Sequence, residues 1–291
     1  MFTVCDFAFG ANKLRNVMSA EFMPQQNVVR GRQSGDVTTQ ALHVTQLAPM
    51  IQIQTGDLAG LLDGSGMFGG TSYMHLSNSA AIMYLREKSL GGTFASGSSH
   101  TTIAGSYSLS TIQGISAQQD GDFAQGTVQT QFYSPDGTAP MTLSASQALV
   151  TMAYQPQFGF GAVTIGGTRL TDVTAWNVNT GLSVEAYRVE GNAYPTKIFI
   201  LESNPSIDLT FKHAPSIASL AFFSSATLIV YAYKRTDGGI YSGSSDHISI
   251  TSSGPLIAME RIGGQGTQPG DVTYRCHCKA LTYSIAADIP S

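Results

Sequence analysis

Charge is what this chain has least of. Only 12% of its 291 residues are Asp, Glu, Lys or Arg, against about 25% in ordinary soluble domains. Apolar content is unremarkable at 42%, so Gly, Ser, Thr and Gln stand where charge would be. That excludes intrinsic disorder, which needs low hydrophobicity and high charge. It leaves a polar surface with little self-repulsion, suited to packing against copies of itself or to a secreted or surface β-protein. There is no basic block and the net charge is −4. The electrostatic footprint of a nucleic-acid reader is therefore missing.

Cysteine is scarce too. Cys5, Cys276 and Cys278 are too few, and the last two too close, for a disulfide framework. Folding in a reducing cytoplasm is the simpler expectation. MFTVCDFAFG lacks the basic region and long apolar core of a signal peptide. The longest uncharged stretch, Ile217 to Tyr233, is broken by Ser219, Ser224, Ser225 and Thr227. It is short of the roughly 20 residues of a membrane span. A short helix and a buried strand are expected there, with no membrane insertion.

What the chain does have is a repeat. YLREKSLGGTFASGSSH (Tyr84 to His100) returns as YAYKRTDGGIYSGSSDH (Tyr231 to His247), matching Gly91-Gly92 with Gly238-Gly239 and His100 with His247 at one offset (247 − 100 = 147). Earlier pairs share a second offset (158 − 2 = 156): Phe2/Phe158, Leu14/Leu170, Val17/Val173, Val28/Val184, Pro49/Pro205 and Ile51/Ile207. The first copy thus has nine extra residues, within LDGSGMFGGTSYM. The 147 register continues through Leu109/Leu256 and Ile115/Ile262, then drops to 144 and carries Val128 onto Val272. The expectation is a tandem duplication, with domains at 1–150 and 151–291 and a junction over 138–157.

Each copy reads mainly as strands. Period-2 alternation marks 172–178, 182–188 and 206–211 as half-buried strands, and IFIL (198–201) reads as a buried one. Strands are also expected at 82–86, 228–234, 247–252, 256–262 and 271–282. GDLAGLL (56–62) and HAPSIASL (213–220) are the helix candidates. The fold class is all-β with one short helix per domain, a tandem antiparallel β-sandwich or barrel. The double glycines fit a hairpin tip, so each Gly/Ser run reads as a long hairpin arm.

Catalytic chemistry finds little support. Gly64 to Gly69 spells GxGxxG but lacks the strand–helix setting of a dinucleotide site. It reads as a surface loop, with Met67 and Phe68 displayed. His100 and His247 have no nucleophile and orienting carboxylate in a shared pattern. Opening a strand and capping backbone groups is the plainer role. Cys276-His277-Cys278 alternates across a strand, with no second ligand pair. Asp120-Gly-Asp122 lacks the rest of a calcium loop. No catalytic, cofactor or metal residue is expected. The candidates for contact between subunits are Arg86, Glu87, Lys88, Gly91, Gly92 and His100, with Lys234, Arg235, Gly238, Gly239 and His247, plus Met67 and Phe68.

Three segments carry a resemblance: VEGNAYPTKIFI with the Pro-x-Ile-x-Leu strand after it, YLREKSLGG…SSH, and FYSPDGTAPMTLSASQAL. They resemble virion proteins of tailed bacteriophages, and the chain is similar to a tail tube protein. The resemblance implies a β-sandwich or barrel with a flanking helix and a hairpin arm, and sheets lining a channel. For a duplicated chain it implies a trimeric, pseudo-hexameric ring that stacks into a tube. The partners it implies are further copies, other tail or baseplate proteins, and DNA in unspecific passage. The location it implies is the virion tail, after assembly in the host cytoplasm. The other readings are a baseplate, capsid-surface or adhesin component displaying loop 63–70 to a host receptor, and a β-sandwich hydrolase.

Overall fold

The computed structural model describes residues 2–9, 12–31, 41–62, 68, 75–87, 100–121, 123–148, 156–212, 226–235, 246–254, 256–262 and 271–290. The first half holds β1 (Phe2–Phe9), β2 (Asn12–Leu14), β3 (Val17–Met23), β4 (Gln26–Gly31), β5 (Ala41–Leu47) and β6 (Met50–Thr55). The short helix α1 (Leu58–Leu62) follows, then β7 (His75–Glu87), β8 (His100–Gln118), β9 (Gln125–Phe132) and β10 (Met141–Gln147). The second half holds β11 (Phe158–Ile165), β12 (Thr168–Arg169), β13 (Val173–Asn179), β14 (Leu182–Tyr187), β15 (Lys197–Ser203) and β16 (Ser206–Phe211). It ends with β17 (Leu228–Lys234), β18 (His247–Ser253), β19 (Leu256–Ile262), β20 (Val272–His277) and β21 (Ala280–Ala287). The fold is all-β, antiparallel and sandwich-like. The helix candidate at 213–220 and the glycine tips lie outside the described residues.

The two halves pair their strands in the same order. β1 joins β2 and β7, β7 joins β8, and β8 joins β10; likewise β11 joins β12 and β17, β17 joins β18, and β18 joins β21. β3, β6, β9 and the end of β8 form one run, as β13, β16, β20 and β19 form another. β4–β5 and β14–β15 stand apart as two-stranded hairpins. The irregularities agree as well. The ladders slip at Val17/Ser19 and at Val173/Ala175, at Asn27/Val28 and at Ser183/Val184, and at Ile112/Gly114 and at Met259/Arg261. Positive φ recurs at Asn16 and Asp172, and at Gln25 and Gly181. One difference decides the sheet count. β8 runs unbroken from one layer to the other, whereas Gly254, at φ 53°, separates β18 from β19.

The shared register corrects one alignment. Met50 lies opposite Gln131 and Ser206 opposite His277, so the offset at β9 and β20 is 146 (277 − 131). Val128 corresponds to Tyr274, not to Val272; both are buried. Four strand assignments change too. The stretch 271–282 is two strands, because the chain leaves β20 at Cys278-Lys279 and enters the other layer as β21. The bulge at Thr174 puts Val173, Trp176 and Val178 on the buried side together, which simple alternation misses. IFIL is not buried: on the β14–β15 hairpin Phe199 and Leu201 are 48% and 60% exposed. Finally, 141–147 is no linker but β10, paired along β8.

Apolar side chains of both layers and both halves meet in one core, from Phe7 and Ile53 through Phe132 and Trp176 to Phe211 and Ile250. The buried Asp57 fixes the entry to α1. Its carboxylate accepts the Gly60 amide at 2.8 Å, three residues on, and the Arg15 amide at 2.9 Å, at the approach to β3. Asp57→Ala should therefore cost about 1–2 kcal/mol of stability, the worth of a lost helix cap. Burial raises this carboxyl above its ordinary range, against the lowering effect of the two amides. The folded chain then holds the Asp57 proton more readily than the unfolded one. Its contribution to stability is full below pH 3.8 and is lost as pH rises through the raised folded value. Urea titrations across that window should show the slope in the wild type and lose it in Asp57→Asn.

Candidate assembly surface

The second run of each half joins the other edge to edge. β8 pairs with β13, Gly114 opposite Asn179 and Ala117 opposite Trp176. The result is an eight-stranded band, β3-β6-β9-β8-β13-β16-β20-β19. One face packs on the core. The other is polar, because alternate positions along each strand must point away from it. Gln52 and Gln54, Ser116 and Gln118, and Asn177 and Asn179 are exposed there. Few charges interrupt it. Glu21 is exposed on β3. Arg275 and Asp208 face each other across β20 and β16 and form a two-pronged ion pair at 2.8 and 3.0 Å. In the first half, Gln52 and Gln129 occupy the matching opposed positions.

The band ends on β3 and β19, each paired on one side only among the described residues. β3 exposes Met18, Ser19 and Glu21. A strand edge carries unpaired amides and carbonyls, a template for pairing with another chain.

A second contact ties the halves together. The β14–β15 hairpin reaches over the first half, where the carbonyl of Ala193 accepts the Leu47 amide at 3.0 Å. The carbonyl of Pro195 accepts the Ser134 amide at 2.9 Å. Tyr194 joins Phe22, Pro24, Leu47, Pro49 and Met141 around an apolar recess. The strands behind this tip leave Tyr187, Phe199 and Leu201 exposed. Val28 and Val29 are exposed likewise on β4 of the matching hairpin. Nothing in the alternation pattern distinguishes such an arm from a core strand, so the sequence pointed to the glycine loops instead.

The sequence-derived candidates fall into three groups. Lys88, Gly91, Gly92, Gly238, Gly239 and Met67 lie outside the described residues. Several others are engaged within the chain. His100 and His247 are buried, and the Nδ1 of each accepts a backbone amide, of Glu87 at 3.2 Å and of Lys234 at 3.0 Å. Phe68 is not displayed on a loop. It is fully buried, its amide donates to Leu61 at 2.8 Å, and its carbonyl accepts the Tyr283 hydroxyl at 2.7 Å. Lys234 pairs with Asp246 in its own hairpin. Arg235 donates to the Gly121 carbonyl and lies over the Phe123 ring at 5.4 Å, which joins the two halves of one chain. Arg86 and Glu87 are the half-buried end of β7.

The histidines are therefore parts of the frame. Truncating either to alanine empties a buried site and leaves a part-buried amide without its acceptor, which should cost about 1–3 kcal/mol. Denaturant unfolding would register that loss; a purely intersubunit role would instead weaken association and leave unfolding unchanged.

The thiols are equally quiet. Cys276 is buried in the core and Cys278 half-buried, both free. Burial pushes them up to about 12 and about 11 respectively, so neither is a nucleophile near neutrality. His277 between them is exposed on the opposite side of the strand. Among the described residues no helix is long and apolar enough to cross a membrane. No protein-family model matches the chain, and no curated protein matches it at significant similarity.

Proposed function

We propose that this chain is a non-enzymatic virion structural protein, a tail tube subunit that arose by tandem duplication. Copies join edge to edge into trimeric rings, and the rings stack into a channel for DNA. The observation that supports this reading is the eight-stranded band. It is already built by joining two like-paired halves edge to edge, and it ends on two edges of the same kinds that are joined inside it. Repeating one head-to-tail contact gives a closed ring or an open filament. Three chains bring 24 strands (3 × 8). At about 4.8 Å per strand and a tilt of about 40°, they close a barrel roughly 48 Å across at the backbone.

The polar face suits a conduit. Amides and hydroxyls keep it wet, and the few Lys and Arg among its described residues offer few of the phosphate contacts that would hold DNA in place. Electron microscopy of the purified protein tests the reading. Rings with three-fold symmetry or stacked tubes are expected; protein that stays monomeric at high concentration, and is missing from tails, would refute it.

A further inference from the structure

The join between the halves specifies the join between chains. Inside the chain, β13 lies on the free side of β8. The corresponding strands are β3 and β19, whose free sides face no strand among the described residues. The correspondence is fixed at both strands by irregularities as well as by sequence: the bulge at Gln113 in β8 recurs at Glu260 in β19, and that at Thr174 in β13 recurs at Met18 in β3.

From this we infer that β19 of one chain pairs antiparallel with β3 of the next, with Arg261 opposite Met23 and Ile262 opposite Phe22. These are the places of Gly114 opposite Asn179 and Ile115 opposite Val178 inside the chain. The partner is a second copy of this chain, and the inference rests on the self-assembly part of the reading above, not on its virion part.

The hairpins support the same neighbour. Within the chain, the half that supplies β13 also sends β14–β15 over the other half, onto Leu47 and Ser134. By the same geometry, the half that supplies β3 sends β4–β5 over the preceding chain's second half, towards Ser203, the counterpart of Leu47 (203 − 47 = 156). The exposed Val28 and Val29 lie on this hairpin. One junction thereby uses both free edges and seats the second hairpin as the first is seated.

Two substitutions set the junction between chains apart from its template. At Gly114 an added Cβ would stand 2.9 Å from the Val178 carbonyl oxygen, so that end of the template is unusually close. Arg261 takes the glycine's place and opens the corresponding end slightly. Pro24 takes the place of Thr180, whose amide donates to Gln113 at 3.1 Å, so one bond of the template is missing between chains. The weaker junction is the one between chains, and rings should dissociate before the halves separate.

Cysteine cross-linking tests the register. The bonds from the Thr180 amide to Gln113 and from the Gln119 amide to Thr174 make Asn179/Gly114 a non-hydrogen-bonded pair by alternation. Such pairs have Cα atoms about 4.5 Å apart, within disulfide range of about 4.4–6.8 Å. Met23→Cys/Arg261→Cys should, on mild oxidation, lose most of its monomer band to covalent multimers that end at the ring size and revert with reductant. Each single variant alone should not. A mixture of the two single variants should give covalent dimers, which covers a double variant that folds poorly. Rings or tubes that form without the cross-link would overturn this register and leave the assembly reading standing. Chains that stay monomeric would overturn both. Cross-linked rings in a protein missing from tails would overturn only the virion reading.

Discussion

Replacing Trp176 with alanine should lower the stability of the fold by about 3–5 kcal/mol, the cost of truncating a large aromatic in a packed core. Trp176 is 2% exposed and the chain's only tryptophan. It lies on β13 between Ala117 of β8 and Leu209 of β16, at the place where the two halves become one sheet. Its loss should therefore loosen the joint, not only one half. Trp176→Phe should cost much less, because it keeps most of the ring and removes an indole N–H that is buried without a hydrogen-bond partner among the described residues. Urea unfolding followed by circular dichroism measures both, since the alanine variant has no tryptophan fluorescence. A loss under about 1 kcal/mol would mean that the joint does not depend on this side chain.

What the sequence revealed and what it hid follow from the period of the signal. Several strands were legible almost to the residue: 206–211, 228–234 and 256–262 are strands with those bounds. The repeat offsets of 156 and 147 carry the bulge at Met18 onto that at Thr174 and the bulge at Gln113 onto that at Glu260. The bulges themselves were illegible. One extra residue flips the face of all that follow, so plain alternation sets Trp176 with Thr174 and opposite Val173. The arm was misread for a related reason. Exposed Phe199 and Leu201 have the composition of a core strand, and composition does not say which apolar residues the fold leaves uncovered. The candidate edges β3 and β19 were missed because pairing partners, unlike periodicity, are non-local. The glycine-flanked histidines drew notice because they recur, but the feature that recurs is a backbone cap.

Gly105→Ser should destabilise the chain on its own and do so less when Phe132→Cys accompanies it. An added Cβ at Gly105 would stand 2.3 and 2.6 Å from ring carbons of Phe132 and 2.8 Å from the Pro140 carbonyl oxygen. The Phe132 ring is fully buried, so it has nowhere to retreat. Forcing extra atoms into such a core costs about 1–3 kcal/mol, and Phe132→Cys alone leaves a cavity worth about 3–5 kcal/mol. The second half has a different pair at the matching positions. Ser252 and Cys278 hold the corresponding positions (252 − 105 = 147; 278 − 132 = 146), and the buried Ser252 hydroxyl donates to the Leu228 carbonyl at 3.1 Å. A glycine against a phenylalanine in one half thus answers a serine against a cysteine in the other. If the pairs are true alternatives, the double variant should fall short of the summed single losses by about 0.5–3 kcal/mol, the coupling expected of residues in contact. Denaturant unfolding of the wild type, the two single variants and the double variant completes the cycle. Additive losses would show that the two sites do not share a pocket, and would break the residue-by-residue correspondence of the halves where it is most specific.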